Sequence, residues 1–133
     1  MKKIIFTLII LFIINSCGVK SKSPESYNYR IVKIDSIENT YLIYAEKMNI
    51  SIKNSAIIKI VSAKKEKHCK KNDLVIVDKN YNLNVISLYP QGLVSHHLKG
   101  ITYNGTLIPF DKDYNVKKDL FTTEDLEGLC YKH

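Results

Sequence analysis

Few side chains in this 133-residue sequence have types and spacing suited to chemistry. Asp111-Lys112-Asp113-Tyr114-Asn115 begins like a calcium loop. Such a loop needs Gly at its sixth position for the sharp turn and Glu at its twelfth as bidentate ligand. Val116 and Thr122 stand there instead, so the run is expected to be a solvated Asp/Asn-rich loop. His96-His97 is the one adjacent histidine pair. Neighbouring strand side chains point to opposite faces, so the two are poorly placed to share a metal. His68 beside Cys69 could form a ligand pair, an option that a disulfide at Cys69 would remove. No metal or cofactor is expected.

The chain has five glycines and no nucleophile elbow, phosphate-binding loop or dinucleotide fingerprint. No catalytic residue is nominated, and the chain is read as a non-enzyme. The strongest electrostatic feature is Lys64-Lys65-Glu66-Lys67-His68-Cys69-Lys70-Lys71. Lys64, Lys65, Lys67, Lys70 and Lys71 are the candidate contacts for an anionic surface or glycan. Alternatively, they form a lysine-rich loop that keeps sheet edges soluble. The run holds no aromatic side chains on which bases could stack, which argues against nucleic acid.

The elements that must carry these residues read as strands. Short runs rich in β-branched and aromatic residues alternate with polar clusters. Arg30–Ile37 and Thr40–Ala45 flank a tight break at Glu38-Asn39, and Ala56–Val61 follows. Leu74–Val77 and Leu83–Leu88 read as a pair joined across 78–82. In Ile101–Ile108, Asn104-Gly105 predicts a type I′ hairpin pairing Tyr103 with Thr106 and Ile101 with Ile108. Pro109 should end the strand or lie on an edge. Thr123 can cap a short C-terminal helix opened by Glu124-Asp125 and carrying Leu126 and Leu129. The expected fold is mainly β: a small antiparallel barrel, OB-like among the options, of about five to seven strands with that short helix.

The N-terminus supplies an address. Residues 4–14, eleven in all, are apolar except for Thr7 and follow Lys2-Lys3. A bilayer span takes roughly 20 apolar residues, so this run suits a secretory signal better than a transmembrane helix. Ile14-Asn15-Ser16-Cys17 resembles the lipobox of bacterial lipoproteins, with Ile14 and Ser16 matching and Asn15 departing at the most permissive position. The resemblance implies cleavage before Cys17 and lipid on its sulfur. Residues 1–16 are then a cleaved signal peptide, 17–27 a lipidated flexible tether, and 28–133 a single β-rich domain. Losing 16 of 133 residues leaves 117 and lowers the net charge from +7 to +5. The mature part resembles small β-rich envelope lipoproteins.

With Cys17 acylated, Cys69 and Cys130 remain as an even pair in an oxidising compartment. A bridge between them would stabilise the domain by about 4 kcal/mol on the chain-entropy estimate; two unpaired buried thiols are the alternative. The expected function is that of a lipid-anchored cell-envelope protein acting by binding or structural support. Its partners are the membrane through its lipid, and an envelope protein or anionic glycan. The other reading is an envelope inhibitor or immunity protein that blocks an enzyme.

Overall fold

The computed structural model describes residues 25–48, 56–65, 74–90, 97–126 and 130. Its strands are β1 (Tyr27–Ile37), β2 (Thr40–Lys47), β3 (Ile57–Ala63), β4 (Asn80–Leu83), β5 (Ile86–Ser87), β6 (Gly100–Tyr103), β7 (Thr106–Pro109) and β8 (Phe121–Thr122). Six form one sheet in the order β4-β1-β2-β3-β8-β5, curled into a half-barrel, and β6 and β7 form a separate hairpin. The protein is mainly β, as its sequence predicts.

Three long strands make the centre. β1 and β2 are joined by a two-residue turn, with Ile37 opposite Thr40. Glu38 alone of its two central residues takes positive φ, at 47°, the type II′ pattern. Its carboxylate accepts a hydrogen bond from Thr106 Oγ1. β2 and β3 run antiparallel without a register break from Thr40↔Ala63 to Glu46↔Ile57. β1 does break register between Ile31 and Lys33. This bulge places one extra residue on β1, so Ile31 and Ile34 both reach the inside although they lie three apart. Val32 and Lys33 are left on the outside.

The sheet curls because of its edges. β4 and β5 are the two edge strands, yet only Asn84 and Val85 separate them. Three peptide steps from Leu83 to Ile86 span at most about 11 Å. The first and last strands of the sheet are therefore brought together at that corner. Asp125 fixes the corner by accepting the Asn84 N–H at 2.7 Å.

Both faces of the central strands are buried. Inside pack Tyr29, Ile31, Ile34, Ile43, Ala45, Ile58, Ile60, Leu83, Phe121 and Leu126. Outside, Leu42, Tyr44 and Val61 pack under Ile108, Val116 and Leu120 from the segment between β5 and β8. That segment contains the β6–β7 hairpin. Its turn carries Asn104 at φ 46° and Gly105 at φ 80°, with Tyr103 opposite Thr106 and Ile101 opposite Ile108, as expected from Asn-Gly. Pro109 is the last residue of its strand, opposite Gly100. A Cβ on Gly100 would lie 2.3 Å from the Ile108 carbonyl oxygen, so this crossing accepts only glycine without a backbone shift.

Several expectations are corrected. The sheet curls into a half-barrel, and it is not wholly antiparallel as expected, since β8 runs parallel to β3 through Ile60↔Phe121. The Leu74–Val77 run contributes a bridge from Leu74 to Cys130 instead of pairing with the next strand. Leu83–Leu88 is split at Asn84-Val85, because one half pairs with β1 and the other with β8. The C-terminal helix is only a 3-10 turn, Glu124–Leu126, with Thr123 Oγ1 accepting the Asp125 N–H at 3.3 Å. Leu126 is the buried residue that this turn contributes to the core. Leu129 lies outside the described residues.

Candidate functional site

Lys59 is the odd residue of β3. It interrupts Ile57-Ile58-Lys59-Ile60-Val61, and strict alternation sends it to the outer face beside Val61. It is buried to 3 % exposure. An ammonium cannot be desolvated there without partners. It donates to the Pro109 carbonyl at 3.0 Å and pairs with Asp111 Oδ2 at 3.2 Å. The same Asp111 oxygen accepts the Tyr44 hydroxyl at 2.9 Å. The Lys59 and Lys33 ammoniums lie 5.4 and 5.1 Å from the Tyr44 ring centre, within cation–π range.

The electrostatics follow from this geometry. Partial burial alone would raise the Asp111 carboxyl. Hydrogen bonds from Tyr44 and Lys59, and the Lys59 charge, outweigh it and hold Asp111 below the usual aspartate value. Burial, followed by the Asp111 carboxylate that accepts its proton, pushes the Tyr44 phenol well above its ordinary value of 10.0. Near neutral pH Asp111 is therefore a carboxylate bridged to a neutral Tyr44 phenol.

Beside this cluster a shallow pocket of about 170 Å³ opens to solvent. Its walls are Val32 and Lys33 from the β1 bulge, Tyr44, Ile57, Asp111, Asp113 and Val116. The Asp111–Val116 loop is tied down along its length. Asp113 Oδ1 accepts the Asn115 N–H at 2.9 Å, and the Asp113 carbonyl accepts the Val116 N–H at 3.1 Å. The Ile57 backbone bonds Asn115 at 2.9 Å and Lys117 at 2.8 Å. Asp111 is thus half-buried and structural, not the solvated side chain expected from the sequence. Tyr114 at the tip is 98 % exposed.

The other sequence candidates lie elsewhere. Lys64 is half-buried, with its ammonium 5.5 Å from the Tyr41 ring centre, and Lys65 is exposed. Lys67, Lys70, Lys71, Cys69, His68, His96 and Cys17 lie outside the described residues, as do 1–16 and most of the tether. His97 is exposed at a turn, and Cys130 is buried against Leu74 and Val75. Among the described residues no three His, Cys, Asp or Glu side chains gather as a metal site. No described helix is long and apolar enough to cross a membrane. The Lys59–Asp111–Tyr44 cluster is absent from the sequence reading. The signal for it was a lysine inside a strand apolar at both parities, which demands a buried partner.

Comparison of the chain with family models, curated proteins and solved structures returned no match.

Proposed function

We propose that this is a lipid-anchored cell-envelope protein whose single OB-like domain acts by binding rather than catalysis. One observation carries the fold-level reading: the circuit of strands. If Asn80–Ser87 is taken as one bent strand, the pairings run β1 to β2 to β3 to β8, on to that strand and back to β1. Every neighbouring pair is antiparallel except β3 with β8. That circuit supports the OB-like reading; an OB barrel is a scaffold that binds extended ligands across its second and third strands and the loops beside them. Here the outer face of β2 and β3 is covered by Ile108, Val116 and Leu120, which leaves the covering segment before β8 and the pocket at its edge as the corresponding surface. Fold analogy assigns no ligand by itself.

The anchor rests on the lipobox-like Ile14-Asn15-Ser16-Cys17. From Cys17, ten residue steps reach Tyr27, a reach of at most about 36 Å. The domain would therefore work close to the membrane surface. Export also supports a Cys69–Cys130 bridge, and the buried Cys130 is not a free side chain. The basic Lys64–Lys71 segment would add salt-sensitive attraction to anionic headgroups or glycan.

Labelling cells with an alkynyl fatty acid tests the anchor. Wild-type protein should take up the label and fractionate with membranes. Cys17→Ser should lose the label and leave the membrane pellet. An unlabelled wild-type protein would overturn the assignment.

A further inference from the structure

We infer that the domain rests one pole of its sheet on an anionic bilayer, through Tyr27, Lys47, Lys117 and Lys118, and turns the opposite pole away. The inference rests on the lipid-anchor reading and adds the surface that meets the membrane.

Strand register sorts the residues into two poles. Tyr27, the first residue of β1, lies opposite Leu83, the last of β4. Tyr29 lies opposite Lys47, the last of β2. Glu46 lies opposite Ile57, the first of β3, and Ile57 bridges Val116. The Lys117 N–H then donates to the Ile57 carbonyl at 2.8 Å. Tyr27, Lys47, Lys117 and Lys118 therefore gather at one end of the sheet. The chain from Cys17 enters at this same end, because it leads into Tyr27. The far pole holds the Glu38-Asn39 turn, where the Lys64 N–H donates to the Asn39 carbonyl at 2.8 Å. Ten residue steps of β1 separate the poles, a distance of up to roughly 33 Å. The basic run from Lys64 thus starts at the end remote from the tether.

Charge at the near pole is unbalanced. Lys117 and Lys118 are exposed and Lys47 is half-buried. Among the described residues, none of the three forms an ion pair. The acids close by are engaged. Glu46 is paired with Arg30 at 2.7 Å, and buried Asp119 accepts the Ser87 hydroxyl and the Leu120 N–H, each at 2.7 Å. Glu25 accepts the Tyr27 hydroxyl. Exposed Asp113, on the loop that reaches Ile57, follows exposed Lys112. The lysine excess attracts anionic headgroups that come within a Debye length. Tyr27 adds a ring that is 39 % exposed, with the Lys47 ammonium 3.0 Å from its centre. Tyrosine suits the headgroup level, where one end of the side chain is apolar and the other wet. The tether holds this pole near the membrane, whereas the far pole reaches it only if the domain inverts.

The test reconstitutes lipidated protein, selected by its fatty-acid label, in nanodiscs that carry a headgroup nitroxide. One set is phosphatidylcholine alone, and the other is equal parts phosphatidylcholine and phosphatidylglycerol. In the anionic discs the nitroxide should broaden amide NMR signals of Tyr27, Lys47, Lys117 and Lys118 severalfold more than those of Asn39, Lys64 and Lys65. High salt should erase the contrast. Replacing Lys117→Gln and Lys118→Gln together should reduce the docked population, by roughly fivefold per lysine in the docking equilibrium. Lys65→Gln, at the far pole, should leave it unchanged. These three side chains are exposed, so the variants should otherwise keep wild-type spectra. Equal broadening of the two poles, stronger broadening at Asn39 and Lys65, or the same contrast in phosphatidylcholine alone would overturn the inference. Labelled protein without the contrast sinks the docking alone. Protein that takes up no label sinks the anchor and this docking with it.

Discussion

The inner and outer faces of the six-stranded sheet both bury apolar side chains, by different means. Inside, Ile31, Ile60 and Leu83 reach 0–1 % exposure among other apolar groups, closed by the curl of the sheet itself. Outside, Val61, Ile108 and Leu120 are as deeply buried, but a separate hairpin and loop supply the cover. That cover is held partly by polar links: Lys59 to Pro109 and Asp111, Tyr44 to Asp111, and Glu38 to Thr106. The inner face is therefore bound to the cooperativity of the whole sheet. The outer face can loosen locally, and its polar links make it responsive to pH. The pocket lined by Val32, Lys33, Tyr44 and Asp111 lies at the seam of this outer face.

The comparison is broken most directly by cavities. Ile60→Ala should cost about 2–5 kcal/mol of global stability, read from the urea midpoint. Ile108→Ala removes an equally buried side chain from the outer core. Its larger signature should be faster amide exchange confined to β6 and β7, with a smaller change in the midpoint. Equal global losses with no local exchange would show that the two cores melt as one.

Lys59→Met tests the polar cover. It leaves Asp111 and Tyr44 without the ammonium but keeps the aliphatic volume. Because the Asp111 side chain is 28 % exposed, water can re-solvate it. The expected cost is about 1–2 kcal/mol, below that of an orphaned fully buried charge. A more stable variant would mean that the ion pair specifies the loop position without stabilising it.

The smallest effect is titration. A depressed Asp111 value means its contribution is present above the ordinary carboxyl range near 3.8 and is lost as pH falls through the lower folded value. A raised Tyr44 value means its contribution is present below 10.0 and is lost as pH climbs from there. Methyl signals of Ile108 and Leu120 should broaden at both extremes before those of Ile31 and Ile60. Simultaneous broadening of all four would refute a pH-sensitive outer face.

Some of this was legible in the residues. Asn104-Gly105 specifies its hairpin locally, since positive φ at both turn positions is cheap there and costly elsewhere. Thr40–Ala45 and Ala56–Val61 predict strands because they are short runs rich in β-branched and aromatic residues between polar clusters. For the expected C-terminal helix, the described residues show the Thr123 cap and a single 3-10 turn, Glu124–Leu126.

The sequence by itself determined what depends on near neighbours: strand-rich segments, the I′ turn, the cap at Thr123 and a signal-like N-terminus ending at Cys17. The tertiary structure decided what depends on distant ones. The β1 bulge sends Val32 and Lys33 outward, and only a partner strand with a fixed register reveals it. Asn80–Ser87 becomes two edges of one curled sheet because β1 and β8 each claim half of it. Lys59 and Asp111 are 52 residues apart in the chain and meet at 3.2 Å. No local pattern encodes that contact, because burial of an ammonium fixes only that a partner must exist, and chain topology chooses which.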